Sequence, residues 1–264
     1  MNTVAGMKKY LNNHNTSFMK KDKPKLTIPL EFKIACATYH LAIPEVLQLF
    51  IDHISFYDSL SHKSNDCYRF ATNTLLSHPH PPIEGISPAF QTNRDAIIKY
   101  VREIVHMSVR PRTAEIKRRK MCIPIVKKIF NLMEPKVTTS RTLQLDEANT
   151  LQLGIDFSIM CETHNCQPEV YLQYFMDQVS LPETHARIGL HQLLENHAMA
   201  FFCQAITKSN ALLSSPSHKA LQIEFIDHIQ ELHLRLFIVR SLEKRRQKYY
   251  ELYENYYHKL IQSV

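Results

Sequence analysis

Apolar residues recur every three or four positions through most of this 264-residue chain, and the breaks in that rhythm divide it into blocks. Residues 28–76 are apolar with helical spacing and stop at His78-Pro79-His80-Pro81-Pro82. No helix crosses such a run, because proline lacks the N–H donor and its ring clashes with the preceding turn. Ile97, Tyr100, Val101, Ile104 and Val105 predict a helix over 93–109 behind a Thr92 or Asn93 cap, ended by Arg110-Pro111-Arg112. Residues 114–133 follow as a helix kinked or split at Pro124. Residues 135–142 read as a linker, 146–206 as helical, and 209–218 as a second linker. From Ser217 onward there is neither glycine nor proline, which predicts one long C-terminal helix, or two broken near its charged middle. The expected fold class is therefore all-α, a multi-helix assembly with two related helix-turn-helix-like hairpins and a long C-terminal helix.

The two hairpins come from an internal repeat, residues 32–55 and 157–180, aligned with a single gap. His40 matches His164, and Pro44-Glu45-Val46 matches Pro168-Glu169-Val170. Leu47-Gln48, Phe50, Asp52 and Ser55 match Leu172-Gln173, Phe175, Asp177 and Ser180. Each copy reads as helix, short turn, and a second helix opened by Pro-Glu, both residues being favourable in a first turn. Cys161, Asn165 and the residues that follow resemble the spacing of a DNA-reading helix-turn-helix, with Leu41 at the left-handed position of the first copy. The second helices contain no Arg or Lys, however, and offer Glu169, Gln173 and Met176, or Glu45, Gln48 and Asp52, where base readers carry cationic or amide donors. Two hairpins packed into one core is the stronger expectation. The organisation expected is a basic mobile tail (1–25), first repeat (26–80), basic middle helices (81–142), second repeat (143–208), and a linker with C-terminal helix (209–264), all in one unit.

Composition narrows the function. Only four glycines occur, with no G-x-G pair, so the phosphate-cradling loops of nucleotide-binding enzymes have no backbone to build from. No apolar run reaches the roughly 20 residues of a membrane span. Six cysteines without framework spacing read as reduced thiols, consistent with a cytoplasmic location. The net charge is +7, but residues 8–25, 99–128 and 240–248 carry +5, +8 and +4, so the remainder is near −10. Such clustering is the electrostatic footprint of a polyanion binder.

The candidate phosphate-binding residues are Lys117, Arg118, Arg119, Lys120, Lys127 and Lys128, and in a second cluster Lys244, Arg245, Arg246 and Lys248. Five tyrosines within 249–257 could add base stacking, while the apolar stripe Phe225, Ile229, Leu232, Leu236, Val239, continued by Tyr249, Tyr253, Tyr256 and Leu260, reads as a packing seam. Cys161-x-x-His164-x-Cys166 has metal-capable side chains at core positions, so no metal and no cofactor is expected. No nucleophile with a base and no motif of a catalytic cleft is present. These features point to a non-enzymatic protein that binds DNA or RNA through phosphates. The alternative is a protein-interaction or scaffolding module, including self-association, that uses the C-terminal helix. No membrane partner is expected.

Overall fold

The computed structural model describes residues 26–55, 58, 66–79, 88–108, 110, 113–133, 142–146, 148–163, 166–192, 195–208 and 216–262. The expected N-terminal tail lies outside them, as do His164, Asn165 and most of the second linker. Among the described residues the order is α1 (Leu30–Thr38), α2 (Ile43–Asp52), α3 (Asp66–Leu76), α4 (Pro88–Ser108), α5 (Glu115–Met133), β1 (Thr142–Gln144), β2 (Thr150–Gln152), α6 (Ile155–Thr163), α7 (Pro168–Asp177), α8 (Leu181–Ile188), α9 (His197–Lys208), α10 (Pro216–Arg235) and α11 (Leu242–Gln262). The fold is all-α but for one small ribbon.

The repeat takes the same form twice, and it needs no gap. Each boundary of α6 and α7 lies 125 residues after its counterpart in α1 and α2. The turns close with the same bond, Leu41 N–H to the Cys36 carbonyl and Cys166 N–H to the Cys161 carbonyl, both 2.9 Å. Cys161 therefore corresponds to Cys36, and the Pro-Glu-Val match is one residue out of phase. Proline can slide this way because the first-turn N–H groups of a helix have no intrahelical partner to lose. The left-handed residue of the first turn is His40, with φ 53°, and not Leu41. His40 N–H also bonds the Ala37 carbonyl, completing a Schellman-type stop. His191, φ 54°, ends α8 in the same way, with Gln192 N–H reaching the Arg187 carbonyl. Among the described residues both non-glycine positions with positive φ are histidines. Helices α1 and α2 meet at 96°, a crossing and not an antiparallel hairpin.

The copies are joined about an approximate two-fold. Phe50 and Phe175, equivalent residues, stack with ring centroids 4.1 Å apart and planes 9° from parallel, both fully buried. Helix α2 packs on α9 while α7 packs on α3, and α3 packs on α9. Gln48 and Gln173, also equivalent, both donate from Nε2 to an aspartate four residues on, Asp52 and Asp177, each at 2.9 Å. Their side-chain oxygens accept from Gln152 N–H (2.8 Å) and Thr27 N–H (3.0 Å), positions again 125 apart. Each copy thus pins the strand or segment that leads into the other.

Three elements depart from expectation. Residues 142–144 and 150–152 form an antiparallel ribbon pairing Thr142 with Gln152, where the chain reads as linker and helix. Asp146 makes its turn, accepting from the Ala148 and Asn149 amides and the Asn149 side chain, which holds its carboxyl below the usual range. Helix α4 begins at Pro88, ahead of the expected cap, and Asn93 instead donates its side-chain amide to the Leu132 carbonyl at 3.2 Å. Helix α5 is one element with Pro124 inside it, which excludes the split and leaves the single helix of the two forms expected there.

The C-terminal block is two helices, the second of the two forms expected, with the break between Arg235 and Leu242 beside the charged run. Helix α10 ends at Arg235, and α11 folds back along it. Phe225 stacks on Tyr256 at 4.0 Å, Lys259 pairs with Glu224 at 2.7 Å, and His233 Nδ1 lies 3.1 Å from the Tyr249 hydroxyl. The seam read from the sequence is therefore spent inside the chain. Helix α11 also packs on α8 and α1. His185 of α8 is held between the rings of Tyr249 and Tyr253, with Nδ1 3.1 Å from the Leu181 carbonyl. Burial, helped by the nearby His233, pushes its pKa below the ordinary imidazole value. The unfolded chain then binds this proton more readily than the folded one. His185 accordingly contributes stability that is complete above its unfolded pKa and is lost as pH falls through it, at up to ~1.4 kcal/mol per pH unit. Thermal unfolding from pH 7.5 to 5 should fall less steeply for His185→Gln than for the parent chain; equal slopes would contradict this.

Candidate nucleic-acid interface

Helices α4 and α5 form an antiparallel hairpin between the two repeats with a small core of its own: Ile97, Ile104, Cys122, Ile125, Ile129 and Met133, closed by Ile159 from α6. Burying Cys122, Ile125 and Ile129 turns the opposite side of α5 outward. That side carries Ile116, Lys117, Lys120, Ile123, Lys127 and Lys128, all exposed. Lys120 and Lys127 lie two turns apart on its centre line, about 10 Å along the axis. Lys117, Lys120 and Lys127 have no ion-pair partner among the described residues.

The other three side chains of this cluster are engaged. Lys128 places its ammonium 5.6 Å from the centroid of the Tyr100 ring. Arg118 is half-buried and donates to the Arg110 carbonyl at 3.0 Å. Arg119 pairs with Asp58 at 3.1 Å, which ties α5 to the segment after α2. Helix α4 adds Arg94, Lys99 and Arg102, exposed along a groove that also holds Asp95 and Glu103. The sequence signal for these lay in the net charge of the segment, since their spacing is too wide to form a run. Over residues 88–133 eleven basic residues face three acidic ones.

The second cluster comes apart. Arg245 is wholly buried, where its place in a basic run predicts an exposed phosphate ligand. Its Nη1 donates to the carbonyls of Leu236 and, at 3.2 Å, Val239, in the turn that ends α10. The guanidinium also lies against Gly189, at the end of α8, so it sits among the carbonyl ends of two helices, where cations are favoured. It follows a stepping of four with Tyr249 and Tyr253 on the buried side of α11, which is why a basic residue is drawn inward here. Arg246 bridges Glu31 of α1 at 2.7 Å and Glu183 of α8 at 3.1 Å. Lys248 pairs with Glu251 at 2.8 Å, and Lys244 is exposed. Tyr249, Tyr253 and Tyr256 are buried and present no stacking platform.

A cleft of about 740 Å³ lies over this Arg246 network and is lined by residues that include Glu31, Glu183, Arg187, Asn196 and His197. Arg187 bonds Glu183 at 2.6 Å. Burial pushes the thiol pKa of Cys36 up to about 12 and that of Cys166 up to about 11, so both stay protonated. All six cysteines are thiols, and among the described residues no three metal-ligating side chains converge. Among these residues no single helix is long and apolar enough to cross a membrane; only the bent α1–α2 pair passes by composition, and it forms the core. Comparison with protein-family models, with curated proteins and with solved structures finds no match for this chain.

Proposed function

We propose that the chain is a non-enzymatic intracellular protein that associates with nucleic acid by laying the outward face of α5 against phosphates. The observation that carries this reading is the outward row Lys117, Lys120 and Lys127, cations without carboxylate partners among the described residues, on a hairpin that has its own core. A row of cations set on a rigid helix attracts a phosphate backbone without reading sequence, because phosphate contacts position and base contacts specify. Ile116 and Ile123 between the lysines provide apolar contact for sugars or unstacked bases. Six reduced cysteines fit an intracellular setting.

The test is salt-dependent binding of duplex and single-stranded oligonucleotides. Replacing Lys117, Lys120, Lys127 and Lys128 by Ala should weaken binding to both and reduce the slope of log affinity against log salt by roughly 0.9 for each duplex phosphate left without its cation. Thermal unfolding should change little, since Lys117, Lys120 and Lys127 are exposed and Lys128 gives up a ring contact with Tyr100 at an exposed site. A control lacking Lys244 and Lys248 should keep most of the affinity. An unaltered slope in the α5 variant would overturn the proposal.

A further inference from the structure

Helix α10 is apolar on two sides, and one of them is left open. Phe225, Leu232 and Leu236 face α11, whereas Ile223, Ile226, Leu234, Phe237 and Ile238 are exposed by 61, 45, 74, 70 and 82%. The spiral continues past Arg235, since Leu236 N–H bonds the Leu232 carbonyl and Phe237 N–H the Leu234 carbonyl. At 100° per residue, Ile223, Ile226, Gln230, Leu234 and Phe237 fall within an 80° sector opposite the α11 seam. A surface helix with this pattern has a second partner to find.

The spacing identifies the partner. Ile223 and Phe237 are each seven residues from Gln230, and Ile226 and Leu234 are each four from it, so the stripe reads the same from either end. We infer that this face binds a second copy of the chain, α10 lying antiparallel on α10 about a two-fold axis at Gln230. Such an interface is isologous: each contact of i with j is repeated as j with i. Ile223 then meets the partner copy's Phe237, Ile226 meets its Leu234, and the two Gln230 amides face each other, donor to acceptor.

The area suffices. The four large apolar side chains of the stripe, exposed to this extent, present roughly 500 Å² per copy, so pairing buries up to about the 1,000 Å² that a specific interface needs. This inference is independent of the nucleic-acid reading, whose residues lie on α5.

Sedimentation equilibrium and light scattering of the full chain should show a concentration-dependent mass rising from 30.9 kDa toward twice that value. The double variant Leu234→Glu with Phe237→Glu should raise the dissociation constant at least ~100-fold, because closing the interface buries unpaired carboxylates. Its folding should be unaffected, as both side chains are exposed. In a Cys203→Ser background, Gln230→Cys should give a disulfide-linked dimer on mild oxidation, since only the axis residue meets itself; Gln222→Cys, displaced from the axis, should not. A monomer at all concentrations up to ~100 μM, or a dimer indifferent to both Glu substitutions, would overturn the inference.

Discussion

Arg245→Ala is expected to lower the unfolding free energy by ~3–5 kcal/mol and to leave the affinity of the remaining folded protein for nucleic acid unchanged. The side chain is wholly buried, so truncation opens a cavity and also strips donors from the Leu236 and Val239 carbonyls at the turn between α10 and α11. The same site can be tested from the other side. Gly189 has an ordinary helical backbone, φ −67°, so alanine is permitted there by conformation and excluded by space. A methyl at that position would stand 2.7 Å from Cζ of Arg245, closer still to a terminal nitrogen, and the buried guanidinium has nowhere to go. Gly189→Ala should therefore destabilise by ~1–3 kcal/mol in the parent chain, the range for overpacked sites, and be nearly neutral in the Arg245→Ala background. Urea unfolding of the four-member cycle measures the coupling. Additive effects would show that the guanidinium is not what makes alanine intolerable.

Phe175→Ala is expected to cost as much, ~3–5 kcal/mol, and Phe50→Ala likewise. Phe175 stacks on Phe50 and meets Phe32 and Phe201 edge-on, at 5.8 and 5.7 Å, so its removal empties the junction of the two copies. The doubly substituted chain should be destabilised by less than the sum of the two single effects, with a coupling of about 0.5–1.5 kcal/mol for the ring pair. A shift in the denaturation midpoint without a change of slope is the expected form, because both copies unfold together. Two separated transitions would mean that the copies are held by something other than this stack.

The helices were legible where apolar spacing was regular and proline marked an end, opening α2 and α7 and following the close of α3. The repeat was legible too, but its register was not. Pro-Glu-Val is a stronger string match than the interior positions, yet proline slides freely between the first two positions of a helix, whereas Phe32, Phe50 and their counterparts Phe157 and Phe175 must face the core. The ribbon escaped notice because its strands are three residues long and its turn depends on Asp146 and Asn149 side chains, a local bond set that periodicity does not register. In the basic clusters, residue type located the charge but not its company. Arg245 and Arg246 stand side by side in the chain, and one helical step of about 100° separates a buried guanidinium from one shared by two carboxylates. Only the helix phase, set by Tyr249 and Tyr253, distinguishes them. On α5 the phase is set by Cys122, Ile125 and Ile129, and it turns the lysines outward.

The Phe50–Phe175 stack joins the same position of two copies, which is how the interior of a symmetric dimer looks. Here a single polypeptide supplies both faces. Their meeting is unimolecular, governed by an effective concentration set by the tether and indifferent to dilution, so the assembly persists at expression levels where two separate subunits would part. Covalent fusion also lifts the demand that partners be identical. One copy was free to acquire the Asp146 turn and ribbon ahead of it, and the tether itself could become the basic hairpin without being duplicated on the opposite side.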